Sequence, residues 1–324
     1  MFKKFKSWML MIILAVLMII YLVVRYIGSD DRTFRDKVLS FDAAAVTEIV
    51  ILDPKSKEGA VDLKLLGDKW MVNNGRKDYT ADTNVVKKIL KQLSDLPTKR
   101  YAGKGHEAWV KYEVTDTAAS FVTLKASGKT VAEIYIGKFS YNMPKDQQQQ
   151  IQSRQQRGDM TTYVRLADEK DVYAVDGFLK MSFGGNINSY RFRTLSSVNP
   201  SDINRITIEE AGNRSVLENL DGKWLLNGVP ADSAKAVRYR SSLARLTGSK
   251  FVDQDSPPAN PSHSLMIEGN NFTPVHIQAY PVADTNTAFI ITSSANPDAF
   301  FNGKEGGLFK KIWESQIQSL VVSR

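Results

Sequence analysis

Seventeen consecutive apolar residues, Trp8 to Val24, constrain this chain more than any other stretch, because a run of that length has to be kept from water along its whole surface. At a rise of about 1.5 Å per residue, the run extended through Tyr26 and Ile27 matches a hydrocarbon core of about 30 Å as a single helix. Lys3, Lys4 and Lys6 precede it and no comparable cluster follows. That asymmetry predicts a cytoplasmic N-terminus over 1–7, a transmembrane anchor over 8–27, and the bulk of the chain in the periplasmic or extracytoplasmic space, as in a single-pass protein of a bacterial inner membrane. Trp8, Tyr21 and Tyr26 suit the interfacial belts, and Arg25 is placed to snorkel. A cleaved signal peptide has an apolar region of about 7–15 residues that ends in small residues. Here the run is longer and leads into Arg25-Tyr26-Ile27-Gly28-Ser29-Asp30-Asp31, so the expectation is a retained signal anchor.

The chain has no cysteine, which excludes disulfides, thiol chemistry and a lipid-modified cysteine, so the exported part must be held by its core alone. The net charge is +8, but Lys3, Lys4, Lys6 and Arg25 stand in residues 1–27 without any acid, leaving +8 − 4 = +4 for the remainder. With signs interspersed over about 297 residues, that is an ordinary solvated surface and predicts no nucleic-acid partner.

Within those residues the sequence repeats itself. Phe34-Arg35-Asp36-Lys37-Val38-Leu39-Ser40, leading into Val46–Ile51, is matched by Tyr190-Arg191-Phe192-Arg193-Thr194-Leu195-Ser196, leading into Ile203–Ile208. Leu66-Gly67-Asp68-Lys69-Trp70 is matched by Leu220-Asp221-Gly222-Lys223-Trp224, and Ala81-Asp82 before a helical pattern by Ala231-Asp232 before another. Ordered matches at one spacing predict two tandem copies of one domain, over 33–188 and 189–324.

Each copy has a physical reading. Ile206 and Ile208 alternate with polar neighbours as half-buried strands do, and Ile49 and Ile51 hold the matching positions of the first copy. The Gly-Asp and Asp-Gly pairs mark hairpin turns, which sets Leu63–Leu66 against Trp70–Val72. Asp82 and Asp232 are N-caps, and Val85, Val86, Ile89, Leu90 and Leu93 fall on one helical face that Pro97 ends. Further strands are expected at Phe121–Leu124, Val131–Ile136, Tyr163–Leu166, Val172–Val175, Leu265–Ile267, Val275–Ile277 and Phe289–Ile291. Hairpin-linked strands with packed helices predict an α+β class: an N-terminal transmembrane helix and two tandem antiparallel-sheet-plus-helix domains. The copies differ in two places. The first carries a glutamine-rich insert over 140–160, read either as a solvated loop or as a partner-contact arm using Tyr141, Met143, Ile151 and Met160. In the second, Ser256-Pro257-Pro258-Ala259-Asn260-Pro261 replaces the helical pattern of His106–Glu113. Leu308, Phe309, Ile312, Trp313 and Ile317 are spaced as a closing amphipathic helix.

These blocks, together with Tyr112-Glu113-Val114-Thr115-Asp116 and Tyr163-Val164-Arg165-Leu166 before Val172-Tyr173-Ala174-Val175, resemble the domain-of-unknown-function 4340 family over almost all of residues 33–315. The resemblance implies a membrane-anchored, exported protein beside ABC transporter permease and auxiliary subunits of the kind linked to gliding motility. It supplies no catalytic residues. The glutamine-rich insert and the missing Tyr-x-x-Thr-Asp segment of the second copy depart from the pattern, which ties any function of that segment to the first copy.

Chemistry is sparse. His106, His263 and His276 show no metal-ligand spacing, and no Gly-x-Ser-x-Gly or Ser-x-x-Lys occurs. Ala126-Ser127-Gly128-Lys129-Thr130 lacks the first glycine of a phosphate loop and reads as a hairpin turn. Asp171 with Asp176 and Glu209 with Glu210 are read as surface acids, and Trp70 and Trp224 as core. No cofactor, metal or catalytic residue is expected. The expectation is a non-enzymatic accessory subunit of an integral membrane complex, held to the lipid bilayer by its N-terminal helix. The alternatives are a ligand-binding module for glycan, lipid or peptide with a cleft at the domain junction, and, behind it, an unrecognised hydrolase.

Overall fold

A computed structural model describes residues 14–19, 21, 35–73, 75–142, 159–210, 212–284 and 286–313. Leu14–Ile19 and Tyr21 are helical and exposed; the rest of the expected 8–27 anchor lies outside the described residues. Among the described residues no helix is long and apolar enough to cross a membrane.

The body is mostly antiparallel sheet with few helices. The first sheet is built from β2 (Glu48–Leu52), β3 (Val61–Leu66), β4 (Lys69–Asn73), β5 (Asp78–Thr80), β7 (Arg100–Lys104), β8 (Ser120–Ala126), β9 (Lys129–Asn142), β10 (Asp159–Leu166) and β11 (Asp171–Asp176). Their order across the sheet is β5-β4-β3-β2-β8-β9-β10-β11-β7. The second sheet holds β13 (Ile203–Glu210), β14 (Asn213–Leu220), β15 (Lys223–Leu226), β16 (Val229–Pro230), β18 (His263–Gly269), β19 (Val275–Pro281), β20 (Phe289–Ser293) and β21 (Asn296–Asn302), in the order β16-β15-β14-β13-β18-β19-β20-β21. Two short ribbons flank them, β1 (Lys37–Ser40) with β6 (Asp95–Pro97) and β12 (Thr194–Ser197) with β17 (Arg245–Thr247).

Helix α1 (Thr83–Ser94) forms because Asp82 accepts from the amides of Asn84 and Val85, satisfying donors of the first turn. Its buried Val86, Ile89, Leu90 and Leu93 pack with Ile49, Ile51, Leu63, Trp70 and Val72 in one core. Fully burying each aliphatic side chain stabilises the fold by roughly 1.5–3 kcal/mol. In the second half, Asp232 caps α3 (Ser233–Ala244), which packs Ala236, Tyr239 and Leu243 against Ile206, Ile208, Leu217 and Trp224. Leu308, Phe309, Ile312 and Trp313, on and just after α4 (Leu308–Ile312), are buried in the same core; Ile317 lies outside the described residues.

Most expected strands and hairpins are present, with three corrections. The first helix stops at Ser94, before Pro97, because Asp95–Pro97 pairs with β1. The polar stretch over 140–160 is not a loop at its ends, since β9 continues to Asn142 and β10 begins at Asp159, with Tyr141 opposite Met160. Residues 143–158, with Met143 and Ile151, lie outside the described residues. His263 is not in a loop but opens β18, with its ring edge-on to Phe289 and Phe309. Ser127 and Gly128 both take positive φ, the two-residue turn that joins β8 to β9.

A small second cluster covers the opposite face of the first sheet. Val114, Tyr163, Val172 and Ala174 are buried there under Ala108, Trp109 and Tyr112 of the segment that contains α2 (Gly105–Lys111). In the second half the chain between β17 and β18 contains no helix and runs through the proline-rich stretch instead.

Candidate functional site

Two sequence segments singled out above converge on the outer face of the first sheet. In β10, Val164 and Leu166 face the main core, so alternation turns Tyr163 and Arg165 to the other side. Tyr163 stacks on Tyr112 at 4.1 Å between centroids and accepts from Arg100 at 2.9 Å. Arg165 is only 3 % exposed, and its guanidinium lies 4.0 Å from the ring centroids of both Trp109 and Tyr135. Its Nε donates to the Val114 carbonyl at 3.1 Å, and its Nη2 reaches Oδ1 of Asp116 at 3.5 Å. A buried cation needs such matching, and flat rings suit a planar guanidinium as they would not an ammonium. Asp116 itself is 80 % exposed. The phenol of Tyr135 is pushed up, first by burial and then by the nearby Asp116 carboxylate.

Gly137 in β9 is what lets the segment seat. A Cβ there would meet the carbonyl oxygens of Tyr112 and Glu113 and, at 2.6 Å, Cγ1 of Val114. Lys138 donates its backbone N–H to the Tyr112 carbonyl at 2.8 Å, and Glu113 takes a φ of 55° to make the bend.

At one end of the same sheet lies an exposed apolar strip. Tyr141 and Met160, two of the four candidate partner-contact residues, are cross-strand neighbours and are 49 % and 41 % exposed. Phe178 is 41 % exposed and stacks at 4.2 Å on the half-buried Phe139, which lies two residues before Tyr141 in β9 and so on the same face of the sheet. Met181, in the following turn, is 76 % exposed. Phe139, Phe178 and Met181 were not legible as part of this surface, because their sequence neighbours read as strand and turn.

The two halves meet around Arg191. It bridges to Ala81, lies 3.7 Å from the ring centroids of Tyr79 and Phe251, and donates to Asp253 at 2.8 Å. A cleft of about 360 Å³ beside it is lined by Lys69, Asp82, Phe192 and Asp298 among others. Trp70 borders it but is 6 % exposed, so it offers no aromatic shelf.

The remaining candidates are dispersed. His276 accepts from or donates to Ser264 at 2.8 Å on the face of the second sheet away from the core, whereas His263 sits on the core side between Ser262 and Glu210. Asp171 and Asp176 pair with Lys104 and Lys99, and Glu209 with Arg214, rather than with one another. Among the described residues no group of three His, Asp or Glu side chains is placed to hold a metal ion.

Comparison with known proteins adds one finding. No curated protein and no solved structure matches the chain. Residues 151–263, which include Tyr163–Leu166, the Arg191 junction and the Lys223-Trp224 hairpin, match the family described as Domain of unknown function (DUF4340).

Proposed function

We propose that this protein is a membrane-anchored, extracytoplasmic accessory subunit, made of two tandem copies of one α+β unit over 33–188 and 189–324, that docks onto an integral membrane complex of the ABC-transport or motility-related type. The observation that carries the reading is the contiguous strip of Tyr141, Met160, Phe178 and Phe139, since rings and a thioether held open at a sheet end mark a protein contact more often than a solvated surface. The like order of strands and helices in the two sheets supports the tandem reading: a four-stranded meander, a capped helix and a short ribbon strand, followed by further antiparallel strands.

Arg35 is bonded to Glu169 just past the end of β10. Six strand steps of about 3.3 Å separate Leu166 from Met160, so the strip stands about 20 Å along the sheet from that end. Crosslinking in intact membranes, followed by identification of the proteins that co-purify, tests the reading. A reproducible integral-membrane partner is expected. A protein that stays alone, or a mature chain that begins downstream of Gly28, contradicts it.

A further inference from the structure

Docking through the strip leaves unused the Tyr112–Asp116 segment, which the second half lacks. Beside that segment lies an open cavity of about 520 Å³, lined by His106, Trp109, Val110, Thr115, Asp116 and Thr117. We propose that this cavity is a binding site for a neutral glycan, with Trp109 as the stacking surface and the Asp116 carboxylate as the acceptor for adjacent sugar hydroxyls.

A sugar ring presents an apolar C–H face and a rim of hydroxyls, so its site needs a fixed aromatic plane next to fixed hydrogen-bonding groups. The structure supplies both. Trp109 is fixed by its Nε1 donating to the Lys170 carbonyl at 3.0 Å and by the Arg165 guanidinium 4.0 Å from its centroid. Asp116 is open to solvent on the cavity side and touches the Arg165 guanidinium at 3.5 Å behind it, so its carboxylate is available to sugar hydroxyls. The hydroxyls of Thr115 and Thr117, 3.4 Å apart, add a donor–acceptor pair at the rim. Pre-organised groups lose little side-chain freedom on binding, and the volume falls in the range of about 300–1,000 Å³ found for small-molecule sites.

Other ligand classes fit worse. No Lys or Arg lines the cavity among the described residues, and the charge of Arg165 is already matched and covered on both faces, so an anion would meet only Asp116. A lipid tail would need an enclosed apolar slot, whereas this cavity is rimmed by two threonines and a carboxylate. The site does not depend on the docking strip, which lies elsewhere on the sheet.

The test is calorimetric titration of the full chain in nanodiscs with maltotriose, cellotriose and triacetylchitotriose. At least one should bind saturably. Trp109→Ala and Asp116→Asn should each weaken it by about tenfold or more, Trp109→Phe should keep most of the affinity, and a glucuronate-ended analogue should bind less tightly. Thr117→Val, which leaves the Arg165–Asp116 contact in place, should weaken binding severalfold and decides the matter if the other variants fail to fold. The proposal is overturned if none of the three sugars binds at about 10 mM, if Thr117→Val binds as the parent does, or if the acidic analogue is preferred.

Discussion

Arg191, at the junction of the two halves, donates to Asp253 at 2.8 Å, yet Asp253 is 65 % exposed. An ion pair with one open partner contributes about 0–1 kcal/mol. The larger contribution comes from the rings of Tyr79 and Phe251, each 3.7 Å from the guanidinium, because a desolvated cation over an aromatic face is worth up to about 2 kcal/mol. Arg191→Ala should therefore destabilise the protein by about 2–3 kcal/mol in urea unfolding, Asp253→Asn by well under half of that, and Arg191→Lys should recover little, since an ammonium does not stack.

Gly137 offers a second test, on the outer face of the first sheet. Gly137→Ala places a methyl group against the Tyr112 and Glu113 carbonyls and Val114. Overpacking of this kind costs about 1–3 kcal/mol, and here it should also displace Asp116. Loss of thermal stability together with loss of sugar binding is the expected pair of outcomes, read by thermal melts and calorimetry.

Stability should fall steeply in alkali. Burial, and then the charge of Glu169, push the Tyr173 phenol from 10.0 up to about 12, and burial pushes Tyr190 and Tyr239 upward as well. A raised phenol favours the neutral form in the fold, so its contribution is complete below about pH 10 and is lost as the pH rises toward 12. Urea midpoints between pH 9 and 12 should track that loss, in about the range over which phenols ionise.

Tyr239 also makes a buried bond to the Ile312 carbonyl at 2.7 Å. Tyr239→Phe leaves that carbonyl without its partner and should cost about 1–2 kcal/mol at neutral pH, while flattening part of the alkaline slope. Denaturant titration of the variant at pH 7 and pH 11 checks both effects.

Much of this fold was legible locally. Alternation at Ile206 and Ile208, the Asp-Gly turn before Trp224 and the caps at Asp82 and Asp232 all depend on neighbours within a few residues, and each lies where its pattern placed it. What was not legible depends on contacts distant in sequence. β6 follows its helix without a break because Leu96 and Asp95 pair with Leu39 and Ser40, more than fifty positions away, and no local pattern announces that. The Arg165 cradle draws on Trp109, Val114, Asp116 and Tyr135 from three separate segments. An arginine inside the alternating Tyr163–Leu166 run was the only local sign of it. Of the four candidate contact residues, Tyr141 and Met160 are cross-strand neighbours, and Phe139, which stacks on Phe178, lies two residues from Tyr141 on the same strand.

The most direct test of the docking claim is a photo-crosslinking amino acid placed at Tyr141 in the full chain, in intact membranes, with the same probe at Leu220 on the second sheet as the comparison; Leu220 is 53 % exposed. The account predicts a discrete crosslinked species from position 141 that disappears when Phe178 is changed to Ala, and none from position 220. Equal labelling from both positions, or no crosslink from 141, would contradict it.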